Sequence, residues 1–314
     1  MKRILTVTLN PAIDYTLVVP DFARNAVNRA RAVRRDPGGK GINVATALSQ
    51  GGFETQVTGF LGRTNSLIFN NHFKDNSMRD SFLYLEGSTR EGIKVVDPIQ
   101  RETTDINLDG FFITNSDIDR LKNQFQDLLT GVDYVVLSGS LPPGVSKGIY
   151  ADMACMASQA GAFVAVDTSG EALQLAIESG SVHLIKPNME ELGALYSELS
   201  DAEDIMAGVE ILSQRLLKTV QMVALSLGRE GSHLYTRQAR YEANAPIVDV
   251  KSTVGAGDTF LAGLIAGLAS GKNDAHSLAQ GVCWAASTLT MIGPGLSKTE
   301  PPESFLNHTL VSKL

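Results

Sequence analysis

The sequence predicts an α/β fold, a parallel sheet covered by helices with a smaller β-sheet set on it. Two observations carry the main layer. Short β-branched runs recur along the chain, each followed by a turn with Gly or Pro, and several lead into segments with helical spacing of apolar residues. That alternation is the pattern of parallel strands under crossover helices. A third observation carries the smaller sheet. Asp14 to Arg35 and Glu91 to Phe112 break the rhythm and alternate polar with apolar residues, as extended chain does.

Taken in order, Ile4 to Leu9, Tyr134 to Ser138, Ala162 to Asp167, His183 to Lys186 and Met222 to Ser226 read as buried strands. A helix opens after Gly38-Gly39 and ends near Gly51-Gly52, a second runs over Glu190 to Glu198, and a third over Leu261 to Leu268. The two polar-alternating stretches form a β-lid built from two insertions, or else extend the main sheet. No internal repeat, low-complexity tract or Pro-rich linker marks a domain boundary.

The 314 residues, 43% hydrophobic and 19% charged, are those of an ordinary globular protein. A net charge of -7 offers no long-range attraction for nucleic acid or an anionic membrane, so neither is expected as a partner. The Arg29 to Arg35 cluster reads as a solvated strand edge. Cys155 and Cys283 lack zinc-site spacing and read as reduced core thiols of a cytoplasmic protein. Met1-Lys2-Arg3-Ile4-Leu5 mimics a signal peptide, yet Asn10 and Pro11 cut the apolar run and no cleavage site follows. Phe260 to Leu268 is too short and too Gly-rich to span a bilayer.

The strongest local signal is Ser252-Thr253-Val254-Gly255-Ala256-Gly257-Asp258-Thr259-Phe260, leading into the third helix. Small residues let backbone approach an anion, and a helix amino terminus offers unpaired N–H groups and the positive end of the dipole. Asp258 then stands where it can take a proton from an attacking hydroxyl, or it is simply a helix-capping aspartate. The dipole favours its ionised form, which predicts a weak base. Neither a P-loop nor a dinucleotide fingerprint is present: Gly267 and Gly271-Lys272 are mis-spaced, and Phe260 stands where a third glycine would be.

Gly38-Gly39-Lys40-Gly41-Ile42-Asn43-Val44-Ala45 offers backbone donors, a cation and an amide that suit sugar hydroxyls or a phosphate. A flexible strand-to-helix turn explains its glycines but not Lys40 and Asn43. Asp14 adds a carboxylate beyond the first strand, where a turn aspartate is the ordinary reading. In Lys186-Pro187-Asn188-Met189-Glu190-Glu191, Asn188 and Glu191 share a helix face, able either to hold water around Mg2+ or to cap the helix. Ser226-Leu227-Gly228-Arg229-Glu230-Gly231 suits a nucleotide loop or a plain tight turn.

Together and in this order, these motifs resemble the PfkB family of carbohydrate kinases along nearly the whole chain. Gly38 to Val44 and Ser252 to Phe260 look like its two signatures, Asn188 to Glu191 like its N-x-x-E motif, and Ser226 to Gly231 like its ATP loop. The resemblance implies a ribokinase-like three-layer α/β/α sandwich over residues 1–9, 39–88 and 113–314, with a β-lid from 10–38 and 89–112. It implies Asp258 as base and Gly255, Ala256 and Gly257 as the anion hole for the transferred phosphoryl group. ATP would be held by Lys186, Asn188, Ser226, Gly228, Glu230, Gly231 and Gly257, and Mg2+ through water by Asn188 and Glu191.

Thr6 to Asp14 and Ser138-Gly139-Ser140-Leu141-Pro142-Pro143-Gly144 are similar to the family's phosphosugar branch. That similarity places Asp14 on sugar hydroxyls, Arg90 near the acceptor's phosphate, and Gly39, Lys40, Asn43, Asn107 and Ser138 around the acceptor. Thr104 to Phe111 and Gly59 to Asn65 lean toward fructose 1-phosphate as acceptor. Tagatose 6-phosphate, fructose 6-phosphate, a neutral sugar or a nucleoside are alternatives, as is a non-catalytic sugar-phosphate sensor. A lid edge would be hidden where two subunits pair, so a homodimer through the lid is compatible with the pattern.

Overall fold

Strands that are apolar on both faces must be covered on both, and this requirement organises the molecule. The computed structural model describes residues 2–100, 102–196, 199 and 204–314. Its main sheet has ten strands in the order β14-β13-β12-β11-β10-β9-β8-β1-β4-β5. The parallel part comprises β1 (Arg3–Thr8), β4 (Glu54–Gly62), β5 (Arg79–Leu85), β8 (Tyr134–Ser138), β9 (Phe163–Asp167), β10 (Leu184–Ile185) and β11 (Met222–Ser226). An antiparallel meander, β12 (Ser232–Thr236), β13 (Arg240–Ala243) and β14 (Val311–Lys313), completes one edge.

Period-two alternation sorts the strand side chains into two cores. Leu5, Val7, Val135, Leu137, Val164, Val166, Val223 and Leu225 face α3 (Asn115–Leu128), α4 (Ile149–Gln159), α5 (Gly170–Glu178), α6 (Met189–Leu195) and α7 (Ile205–Leu216). Ile4, Val136, Ala165 and Ala224 face α1 (Lys40–Gln50), α8 (Ala256–Ala269) and α9 (Asp274–Leu289). Each fully buried Leu, Ile, Val or Phe side chain stabilises the fold by about 1.5–3 kcal/mol relative to exposure. The close approach of α8 to α9 needs glycines, since a Cβ on Gly263 would lie 2.9 Å from Gly281 Cα. A third core joins α1 to α2 (Leu67–Asp75) through Ile42, Phe69, Phe73 and Phe82.

The polar-alternating stretches do not extend the main sheet. They form a separate four-stranded sheet, ordered β3-β2-β6-β7, from β2 (Ala12–Val18), β3 (Ala32–Gly38), β6 (Glu91–Asp97) and β7 (Glu102–Asn107). Asp97 anchors it, its carboxylate accepting from the N–H groups of Asp21, Phe22, Ile99 and Gln100. The Arg29 to Arg35 cluster runs into the edge strand β3, where Arg35 lies over the Tyr15 ring and Arg34 pairs with Asp36.

Three expectations need correction. The helix expected to Glu198 ends at Leu195, and Ser197 and Glu198 lie outside the described residues. The strand expected over His183 to Lys186 is two residues long, because Lys186 leaves the ladder after one backbone bond to Val166. Cys283 is buried, but Cys155 is only partly so and takes a hydrogen bond from Gln159. Among the described residues no helix is long and apolar enough to cross a membrane.

Candidate active site

In a parallel sheet every strand delivers its carboxyl end to the same edge, and ligands collect there. Ser138, Asp167, Lys186 and Ser226 stand at or just past the ends of β8, β9, β10 and β11. The α8 amino terminus completes the edge. Gly255 caps it at φ 78°, a left-handed conformation that disfavours any Cβ, and a Cβ there would also lie 3.1 Å from Pro294. Ala256 and Gly257 follow in the first turn, and Asp258 is its third residue.

Asp258 is buried, and its Oδ2 accepts a hydrogen bond from Asn43 Nδ2 at 2.7 Å. Burial, reinforced by the nearby Asp167 charge, raises its carboxyl from the usual 3.8 to about 6, against the pull of Lys40, Asn43 and Lys186. Desolvation thus acts against the ionising pull expected of the helix dipole. Asn43 is buried too, and its Oδ1 has no hydrogen-bond partner.

Beside this pair lies a partly buried charge cluster. Asp167, fully buried, has Lys40 Nζ at 3.1 Å and Lys186 Nζ at 3.5 Å from its Oδ1, while its Oδ2 has no hydrogen-bond partner. Lys40 reaches Glu191 as well, at 3.6 Å. Burial pulls the Lys40 ammonium down, but Asp167, Asp258 and Glu191 together outweigh it and hold the pKa above the usual value. Lys186 is buried and lies against the helix end, since a Cβ on Gly257 would be 3.6 Å from its Nζ.

The capping reading of the Asn188 motif is the one the hydrogen bonds show. Asn188 Oδ1 accepts from Glu191 N–H at 2.7 Å, and Glu191 Oε2 accepts from Asn188 N–H at 2.9 Å, a reciprocal cap. Asn188 nonetheless lines a cavity of about 610 Å³ together with Ser226, Gly228, Gly231, Ala256 and Gly257. The far wall is apolar, from Ile247, Val248, Phe260, Val282, Ala285 and Leu289. Apart from Phe260, which ends the Ser252 to Phe260 motif, those residues carried no recognisable sequence signal. Glu230 is exposed and does not line the cavity, whereas its neighbour Arg229 does.

On the other side of the α8 terminus, a cleft of about 180 Å³ separates the small sheet from residues 251–254 and 292–294. Asp14 lines it and is only part-exposed. Burial raises its carboxyl, while Lys94 and Arg90 pull it down. Arg90 donates to the carbonyls of Leu108 and Asn10 at 3.2 and 3.3 Å, and its Nε has no partner. Asn107 is exposed on β7, paired in register with Gly92. Gly39, at φ 130°, lies against Thr8 where no side chain fits, and so sets Lys40 at the start of α1. Ser138 is fully buried, its Oγ donating to the Asp167 carbonyl, so it supports the β9 end from beneath.

Sequence motifs thus converge on one edge, with two residues that they did not single out: Asp167, the hub of the charge cluster, and Lys94, which lies 3.9 Å from Asp14. A carboxylate ending a buried strand was the available signal for Asp167. For Lys94 there was none, since a lysine in an alternating strand reads as solvated.

The family model described as "pfkB family carbohydrate kinase" matches residues 3–301. A 1-phosphofructokinase of Rhodobacter capsulatus is 40% identical over 303 residues, 96% of this chain and 94% of its own length. A Thermotoga maritima structure described as a possible 1-phosphofructokinase is 28% identical, covers 99% of both chains and superposes with a TM-score of 0.89. Phosphofructokinase-2 of Escherichia coli, solved with substrates and products, is 25% identical over 98% of this chain and 99% of its own, with a TM-score of 0.88.

Proposed function

The chain belongs to the pfkB family of carbohydrate kinases, and we propose from that premise that it transfers the γ-phosphoryl group of ATP to fructose 1-phosphate, giving fructose 1,6-bisphosphate. It is a phosphotransferase with an alcohol acceptor, ATP as donor and a phosphosugar as acceptor. The observation that supports the reading most is the setting of Asp258. Its carboxylate is buried in the first turn of α8, directly after Gly257 on the wall of the large, partly apolar cavity and four residues after Val254 on the wall of the cleft, and its pKa is raised to about 6.

In this reading the adenine lies against Ile247, Val282, Ala285 and Leu289, and the phosphates reach the α8 terminus beside Lys186. The acceptor lies in the cleft, its hydroxyls on Asp14 and Asn43 and its phosphate near Arg90. Asp258 takes the proton of the 6-hydroxyl as O6 attacks the γ-phosphorus in line and the bond to the ADP oxygen breaks. The transition state of such transfers is loose, with charge on the equatorial oxygens, so positioning and positive charge matter more than base strength. Lys40, Lys186 and the N–H groups at Gly255, Ala256 and Gly257 supply that charge.

Mg2+ fits the donor set as an ion held through water. Asn188 Oδ1 and Glu191 Oε2 are engaged in the cap and Glu191 Oε1 faces Lys40 Nζ at 3.6 Å, which leaves them for outer contacts, and Asp167 Oδ2 is a buried carboxylate oxygen with no hydrogen-bond partner. Its chemistry there would be neutralisation of phosphate charge. Residues 10–38 and 89–112 act as the lid that excludes water. The exposed edge strand β7 is the candidate pairing surface for a homodimer, and a cytoplasmic enzyme is the setting that intracellular sugar phosphates require.

Phosphorus NMR of a reaction containing ATP, Mg2+ and fructose 1-phosphate tests the reading. A second phosphomonoester signal at C6, growing with ADP, supports it. ADP formation without a new sugar phosphate would refute it.

A further inference from the structure

The Asp14 carboxylate occupies a built seat. A Cβ on Gly38 would lie 2.6 Å from its Oδ2 and a Cβ on Gly92 would lie 2.9 Å from its Oδ1, so two glycines on the flanking strands keep the space open. Among the described residues its one ion-pair contact is Lys94 Nζ, at 3.9 Å. The Lys94 side chain is 17% exposed, less than its length on a small sheet would lead one to expect. It stands on β6 beside Thr16 of β2 and opposite Asp105 of β7, whose Oδ1 is 3.4 Å away.

We propose that Lys94 is a positioning residue for the acceptor: its ammonium holds the Asp14 carboxylate ionised and in place to accept hydrogen bonds from the sugar hydroxyls, and Asp105 competes for the same charge. The inference rests on the acceptor site assigned above. A half-buried carboxylate that must accept hydroxyl protons loses half its function when it protonates, because one oxygen then becomes a donor. The groups facing Asp14 decide that state. From β3 it meets Asp36, which is held by Arg34; from β7, Asp105; from the segment before β6, Arg90; and across the cleft, Lys251. Asp36 and Asp105 oppose its ionisation and Arg90 favours it, but Lys94 is the cation in contact. Burial acts against the ionised form, and Lys94 is the nearest charge that counters it.

The test combines a carboxyl carbon-13 NMR titration, with Asp14 assigned through Asp14→Asn, and acceptor kinetics across pH. In Lys94→Met the Asp14 titration should move up, and the rise of the apparent acceptor KM on the acid side should move up in pH with it. KM for ATP should hold. Lys94→Arg should restore both, and Asp105→Asn, on the exposed strand, should move the Asp14 titration down. An unmoved titration in Lys94→Met, a moved titration without a change in acceptor KM, or failure of arginine to restore both would overturn the proposal. The titration needs no acceptor, so it tests Lys94 even if the wild-type protein phosphorylates no ketohexose phosphate, an outcome that would refute the functional reading instead.

Discussion

Asn43 Nδ2 donates to Asp258 Oδ2 across 2.7 Å and so ties the first turn of α1 to the first turn of α8, 215 residues apart in sequence. Each Gly-rich junction would otherwise be a local turn. The bond fixes one carboxylate oxygen, and under the proposed function the other takes the substrate proton, while Asn43 Oδ1 stays unpartnered. Two helix ends, one orienting amide and one desolvated carboxylate make a base with a direction.

Replacing that base separates chemistry from binding. Asp258→Asn should lower kcat by about 10²- to 10⁴-fold, the usual contribution of a positioned general base, with KM for ATP and acceptor within a few-fold. Steady-state kinetics on folded protein measures this. Near wild-type turnover would remove Asp258 from its role.

The same substitution should stabilise the protein. The folded pKa of Asp258 is raised, so its contribution to stability is fully present below the unfolded value of 3.8 and is lost as pH rises through about 6. At pH 7.5 the buried charge is therefore a cost. Thermal unfolding of Asp258→Asn should occur several degrees above wild type at pH 7.5, with the difference vanishing near pH 4.

The acid limb of kcat/KM, which reports the enzyme before the acceptor binds, should lie near pH 6, where Asp258 protonates. Removing the neighbouring negative charge in Asp167→Asn should move the limb down, and removing the positive charge in Lys40→Met should move it up. A pH profile of kcat/KM in the three proteins checks the signs.

Much of this edge was legible before any coordinates. The parallel strands announced themselves because strands buried on both faces are short apolar runs, and the four-stranded sheet because its strands, β7 exposed along its whole length, carry polar residues that a two-sided core would not tolerate. Asn188 with Glu191 was legible only as an ambiguity, since one spacing serves both a cap and an ion's water shell. The Asp167 hub was not legible, because its meeting with Lys40 and Lys186 joins residues from β9, α1 and the segment after β10. Nor was the apolar wall of the large cavity. Ile247, Val282 and Ala285 are apolar residues of a loop and a helix, and only tertiary packing turns them toward one cavity.

That wall can be tested by filling it. Ala285→Leu adds methyl and methylene groups to the cavity and should raise KM for ATP at least roughly tenfold, the scale of one misplaced methylene in an apolar pocket, while leaving acceptor KM unchanged. Separate titrations of the two substrates give both numbers.

The glycines at the helix end should differ in kind. Gly255→Ala forces a left-handed alanine against Pro294 and should cost at least about 1–2 kcal/mol of stability in denaturant melts. Gly257→Ala meets only Lys186 Nζ at van der Waals distance, so stability should hold while its methyl group intrudes where phosphate approaches and kcat/KM for ATP falls.

The central claim, transfer to fructose 1-phosphate, is tested most directly by kcat/KM for fructose 1-phosphate, fructose 6-phosphate and tagatose 6-phosphate under coupled ADP detection. The account expects fructose 1-phosphate to lead by at least an order of magnitude, roughly the margin of one well-placed contact. A lead by either 6-phosphate would contradict it.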